Sequence, residues 1–212
     1  MQYIFFDVDG VLVHGYHARP ELRVCWDENL TEDFGIDRKR FTDEFIFGPF
    51  SKQVLTGKRD LKHALAEALP RLGSTADPQA FIDYWLRKDA TINHDLLARA
   101  KALKACGNIR LFIATNQAHD RARYLMDTLG FGTVFEDIFH SARAGATKPG
   151  VAYFQYISDT LCLPREPKPI FFDDTPTVVA AARAFGWDAY EFLNISSLDQ
   201  SNVIRDLFKN AA

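Results

Sequence analysis

The chain has 212 residues, 47% of them hydrophobic and 25% charged, with a formal net charge of −3. That composition fits one large globular domain, or one domain carrying an insertion. The slight acidic balance gives no general attraction to nucleic acid or to an anionic membrane surface, so any anion site has to be local.

The first residues, "MQYIFF", carry no basic stretch and meet Asp7 before the apolar run is long enough for a secretory signal. No run of 18 apolar residues follows anywhere, so no spanning helix is expected. Cys25, Cys106 and Cys162 are widely spaced, form no CxxC pair, and read as reduced thiols. The expectation is a cytoplasmic protein.

The first predicted strand is "YIFFDV" (3–8), an apolar run interrupted by Asp7 and Asp9 and then Gly10. Taken alone, this is the close of a buried strand followed by Asp-Gly turn chemistry. Residues 17–89 then break any strand pattern, with charged, helix-prone runs such as "RKRFTDEFIFG" and "RDLKHALAEALPRLG". They read as a helical insertion after the first strand, joined through linkers near 14–20 and 87–94. Within it, the aromatics Phe45, Phe47, Phe50, Phe81, Tyr84 and Trp85 read as internal packing. Lys52, Lys58 and Arg59 read as a solvated helix end, and 27–37 as an exposed acidic helix.

From residue 94 onward, helix-like and strand-like segments alternate. Helices are predicted over 94–106, 118–130, 150–162 and 175–186, and strands over 109–115, 135–140, 169–174 and 188–193. Continuous apolar strands between helices imply an α/β fold, a Rossmann-like parallel sheet covered on both faces. The expected division is a core of 1–16 and 90–212 with the helical segment 17–89 inserted.

In such a sheet, ligands sit beyond the carboxyl ends of the strands. Asp7 and Asp9 close the first predicted strand, Thr115 and Asn116 the second, and Asp173 and Asp174 the fourth. Lys148 lies on the loop after the third. Two like charges about 4 Å apart repel by about 1 kcal/mol in water and by about 4 at an effective dielectric near 20. One lysine cannot neutralise four carboxylates, whereas Mg²⁺ accepts carboxylate and carbonyl oxygens and bridges to phosphate. Beside such an ion, Asp7 is suited to attack phosphorus and Asp9 to protonate the leaving oxygen and then activate water. Thr115 and its neighbours can hold phosphate oxygens, and Lys148 supplies a point charge. Gly10 lets the backbone pass close to a bound group, and His14, His17 and Arg19 on the first linker are candidate substrate contacts. His14 and His17 also have HxxH spacing, but a linker is a poor place for a zinc site.

The four segments "DVDGV", "IATN", "TKPG" and "FFDDTP", in this order, resemble the four motifs of the haloacid dehalogenase-like hydrolase superfamily. The resemblance covers roughly 1–16 and 90–212, and an insertion after the first motif is where that superfamily carries a helical cap of the C1 type. It implies Asp7 as nucleophile, Asp9 as general acid and base, Thr115 as phosphate binder and Lys148 as charge balancer. It further implies Mg²⁺ held by Asp7, Asp174 and the backbone carbonyl of Asp9, with Asp173 behind them. The implied substrate is a small-molecule phosphate ester. The "FFDD" ending and short insertion are similar to sugar-phosphate phosphatases, such as glucose-1-phosphate phosphatase, and to the phosphatase domain of soluble epoxide hydrolase. Two positions depart from the pattern: Val178 stands where many relatives have Asp or Asn, and Gly150 where many are acidic. A phosphate-binding domain that has lost catalysis, a 2-haloacid dehalogenase and a phosphomutase are the alternatives.

Overall fold

Apolar strands that are to be buried on both sides need helices above and below them, and the alternation of segments supplies both layers. The computed structural model describes residues 1–210. Along the chain, β1 (Gln2–Phe6) and the two-residue β2 (Val13–His14) come first. A helical stretch follows: α1 (Leu30–Phe34), α2 (Arg38–Arg40) running on into wider π-type turns over Phe41–Val54, α3 (Leu61–Arg71) and α4 (Pro78–Lys88). Next come β3 (Thr91–Ile92), α5 (His94–Ala105), β4 (Ile109–Thr115), and α6 (His119–Arg123), which continues through Tyr124–Thr128. The chain then forms β5 (Asp137–His140), α7 (Ser141–Ala144), α8 (Val151–Leu161), β6 (Ile170–Asp173), α9 (Pro176–Phe185), β7 (Asp188–Glu191) and α10 (Asn202–Asn210).

Five strands form one parallel sheet in the order β5-β4-β1-β6-β7. In β1, Phe5 packs with Tyr153, Phe154 and Ile157 of α8 and Val179 and Ala182 of α9. Its neighbours Ile4 and Phe6 face the other layer, with Leu96 and Leu103 of α5 and Ile204 of α10. Successive side chains point to opposite faces, so an unbroken apolar run is what burial on both sides demands. Each sheet strand overlaps its predicted segment: β4 matches it throughout, β1 begins one residue earlier and ends two earlier, and β5, β6 and β7 are shorter. β1 stops at Phe6 because Asp7 enters a tight loop in which the Val13 N–H donates to the Val8 carbonyl and Gly10 has φ +75°.

β2 and β3 pair antiparallel, Val13 with Ile92 and His14 with Thr91, so the chain leaves and rejoins the sheet region side by side. Asn93 fixes the return: its side chain caps α5 through the Leu96 N–H and donates to the Val11 carbonyl. Between these crossings the helices pack around Leu30, Phe41, Phe45, Leu65, Phe81 and Trp85. Asp60 and Asp77 cap α3 and α4 by accepting the His63 and Ala80 N–H groups. The turns over Phe41–Val54 break at Gly48, since Pro49 has no N–H and disfavours helical geometry in the residue before it. The helical segment also touches the sheet layer. Ala118 joins its core, and a Cβ on Gly57 would lie 2.1 Å from the Ala142 carbonyl oxygen. The three cysteines are unpaired.

Candidate active site

The carboxyl edge of the sheet gathers the reactive-looking side chains because β1, β4 and β6 are adjacent and all point the same way. Asp7 follows β1, Thr115 ends β4, Asp173 ends β6 and Asp174 follows it. Lys148 arrives from the loop before α8, and its ammonium lies 2.9 Å from Asp7 Oδ1 and 2.6 Å from Asp173 Oδ2, also donating to the Ala114 carbonyl at 3.0 Å. Asn116 secures that loop through both backbone groups of one residue: its Oδ1 accepts the Lys148 N–H at 2.8 Å, and its Nδ2 donates to the Lys148 carbonyl at 3.0 Å.

Asp7, Asp173 and Asp174 are buried, and one carboxylate oxygen from each lies within 4.8 Å of the others. Oxygens sharing one Mg²⁺ at about 2.1 Å sit at most about 4.2 Å apart, so a small closure of this set suffices for a hard cation. The donors are all oxygen, which suits Mg²⁺ and not zinc. Burial pushes the Asp7 carboxyl up to about 6, the Lys148 ammonium opposing and the Asp173 carboxylate reinforcing it. Burial also raises Asp174, against the Ala18 N–H that its Oδ2 accepts at 2.6 Å. Desolvation acts to lower Lys148, but Asp173 and Asp7 outweigh it and keep the ammonium charged. Gly10 is required by contact as well as by φ: a Cβ there would come 2.5 Å from Asp174 Oδ2. Its neighbour at that close approach is therefore the carboxylate itself.

Asp9 does not continue the extended line of β1. The loop turns it to Arg121, whose Nη2 and Nη1 donate to its Oδ1 and Oδ2 at 2.7 and 3.1 Å, and to Gln117, whose Nε2 donates to Oδ2 at 2.6 Å. The same guanidinium reaches Asp89, immediately after α4, through Oδ2 at 3.0 Å and its carbonyl at 3.1 Å. Burial raises the Asp9 pKa, with Arg121 opposing, and lifts Asp89 to about 6 against the same arginine. Sequence reasoning missed Arg121, Gln117 and Asp89. Arg121 lies in the first turn of the helix following Thr115, which places it at the same sheet edge. That much is readable from the strand–helix pattern, whereas its pairing with Asp9 depends on the loop around Gly10.

Three linker residues stand apart from the pocket. His14 is exposed on β2 and does not line it. His17 is buried beside Asp174, its Nδ1 accepting the Arg19 N–H and lying 3.2 Å from Oδ2, and it does not line the pocket. Arg19 pairs at the surface with Glu191, at 2.8 Å. The histidines form no metal cluster among the described residues. Val178 is buried against α8 and lines the site, and Gly150 is the N-cap of α8.

Above the acidic floor a cavity of about 490 Å³ opens between the sheet edge and the helical segment. Asp7, Thr115, Asn116 and Lys148 lie at its base, and Trp26, Ile46, Phe47, Phe50 and Trp85 along its walls. Trp85 and Phe50 are packed as expected, with Trp26 stacked on Trp85 at 4.6 Å, but Phe47 is 65% exposed and so adds little to that packing. Arg23 and Arg38 line the rim, whereas Lys52, Lys58 and Arg59 do not. Asp27, expected on an exposed acidic helix, is tied to Arg38 at 2.8 Å.

No helix among the described residues is long and apolar enough to cross a membrane. Comparison with curated proteins returned no significant match. Among solved structures, a predicted HAD-like family hydrolase from Porphyromonas gingivalis is 21% identical, with a TM-score of 0.74 over 100% of this chain and 98% of that one. A HAD family enzyme from Bacteroides thetaiotaomicron, in complex with magnesium and inorganic phosphate, is 15% identical, with a TM-score of 0.73 over 93% and 98%. L-2-haloacid dehalogenase from Xanthobacter autotrophicus is 17% identical, with a TM-score of 0.62 over 100% and 88%. These likenesses are of fold. The haloacid dehalogenase-like hydrolase family matches residues 1–186 in sequence, and with that span the chain belongs to the haloacid dehalogenase-like hydrolases.

Proposed function

We propose that the protein is a Mg²⁺-dependent phosphatase acting on a small phosphate monoester, with the helical segment 17–89 as a cap of the C1 type over the site. The observation that carries this reading is the placing of Asp7 beside Lys148 and within one cation's reach of Asp173 and Asp174. The magnesium and phosphate held by the B. thetaiotaomicron neighbour agree with it. When bound by Asp7, Asp174 and the Asp9 carbonyl, Mg²⁺ would supply charge neutralisation for an anionic substrate.

The chain's own groups account for the remaining chemistry. An Asp7 oxygen forms a bond to phosphorus as the ester P–O bond breaks, and Asp9 passes a proton to the departing alkoxide. Water then attacks phosphorus, gives a proton to Asp9, and frees the Asp7 carboxylate and inorganic phosphate. Thr115 and Lys148 hold the phosphoryl oxygens, and Arg121 with Gln117 fixes the Asp9 carboxyl through both steps. Asn116 acts on the reaction by holding the Lys148 peptide in place.

The test is phosphate release from p-nitrophenyl phosphate with and without Mg²⁺, in the wild type and in Asp7→Asn. Magnesium-dependent release that Asp7→Asn abolishes is expected. An Asp7→Asn protein that still hydrolyses the ester removes Asp7 from its role. Metal-independent halide release from 2-haloacids would move the protein to the dehalogenase branch instead.

A further inference from the structure

Resting on the phosphatase reading, we infer that the alcohol half of the substrate is a flat, mainly apolar ring and not a polyhydroxylated sugar. The cavity has two unlike parts. Its floor is the carboxylate and lysine cluster, which can recognise only the phosphoryl group. Its walls decide what that group may be attached to, and they are aromatic and aliphatic: Trp26, Ile46, Phe47, Phe50, Trp85 and Leu86.

A sugar carries several hydroxyls that must exchange water for protein partners, since a buried polar group without one is costly. The two arginines at the rim each already have a partner. Arg38 is held by Asp27, and Arg23 donates to the His17 carbonyl while its guanidinium lies 4.6 Å from the Tyr16 ring centre. Aromatic faces, by contrast, gain from stacking or edge contact with another ring. Phe47 is the least satisfied of them, since two thirds of a large apolar side chain is left in water at the mouth of the cavity. A ring entering beside it removes that exposure.

The experiment compares benzyl phosphate with glucose 6-phosphate under saturating Mg²⁺. Both release a primary alkoxide, so the P–O cleavage is matched and the difference reads the walls. We expect kcat/KM for benzyl phosphate to exceed that for glucose 6-phosphate by about tenfold or more, mainly through KM, the scale on which an apolar pocket discriminates. In Phe47→Ala, whose exposed side chain makes folding safe, that ratio falls several-fold. A second arm reads binding without turnover: the Asp7→Asn protein is titrated with both esters by tryptophan fluorescence, reporting Trp26 and Trp85. Tighter benzyl phosphate binding there, with no phosphate release from either ester by the wild type, would leave the ring subsite standing and remove the phosphatase reading alone. Equal affinities, or a preference for the sugar phosphate, overturn the subsite even if the enzyme hydrolyses both. A ratio unaltered by Phe47→Ala does so too.

Discussion

Arg121 bridges the buried Asp89 and the partly buried Asp9, and Arg121→Met is a direct test of that arrangement. Its side chain is 11% exposed, against 20% for Asp9 and 6% for Asp89, so water screens little of the interaction. Removing one partner from a buried ion pair costs about 3–5 kcal/mol, because the remaining charge is left without compensation. For a chain of this size, 4 kcal/mol corresponds to a fall in Tm of about 8–16 °C. The loss should depend on pH with a definite sign. Asp89 is already raised from 3.8 to about 6 with Arg121 opposing the rise, so its contribution to stability is lost as pH climbs between those values, and removing the arginine lifts the carboxyl further and carries that loss to higher pH. Without the arginine the deficit therefore grows from pH 5 to pH 8. Thermal melts across that range give the measurement, with Asp89→Asn added to form a double-mutant cycle. Asp89→Asn should recover part of the loss in the Arg121→Met background. A deficit below about 1 kcal/mol, the size expected of a solvent-exposed pair, would refute the reasoning. So would a double variant no more stable than Arg121→Met.

Other outcomes follow from the same geometry. Gly10→Ala should weaken Mg²⁺ binding by calorimetry, since the new Cβ displaces Asp174 and the left-handed backbone adds a strain of about 1–2 kcal/mol. Unaltered magnesium affinity would mean that Asp174 is not a ligand. Val178→Asp places another carboxylate at the site lining and should tighten Mg²⁺ binding; an unchanged Kd counts against an electrostatic origin for that departure from the family pattern. Asn116→Ala removes two hydrogen bonds to the Lys148 peptide and should lower kcat more than it raises KM. An effect on KM alone would contradict a positioning role. His140 is held neutral, lowered from 6.5 to about 4 chiefly by burial. The unfolded chain binds the extra proton in that window, so stability should fall as pH drops from about 6.5 to about 4, and His140→Phe should flatten this part of the profile.

What could be read beforehand divides along physical lines. The β1 residues Ile4, Phe5 and Phe6 announce burial on two faces by being apolar without alternation, and the helix after each strand announces the second layer. Asp7, Thr115 and Asp174 share one edge because all three lie at the carboxyl ends of parallel strands, and no contact information is needed for that. Asp9 is different: one φ of +75° at Gly10 turns the loop, and strand periodicity carries no trace of it. β2 and β3 are two residues each, too short to show a period. His17 and Arg19 are near the site in sequence, yet their roles are set by Asp174 and Glu191, residues more than 150 positions away.

The two-residue ribbon of β2 and β3 has a consequence for how such a chain is assembled. With His14 opposite Thr91, a two-residue reverse turn is long enough to join them directly. The segment between could be excised or exchanged for another without lengthening, cutting or re-ordering any of the five sheet strands. The roof over the acidic floor thus joins the sheet region covalently at a single stem, and its further ties to the floor are non-covalent, as of Ala18 with Asp174 and Asp89 with Arg121.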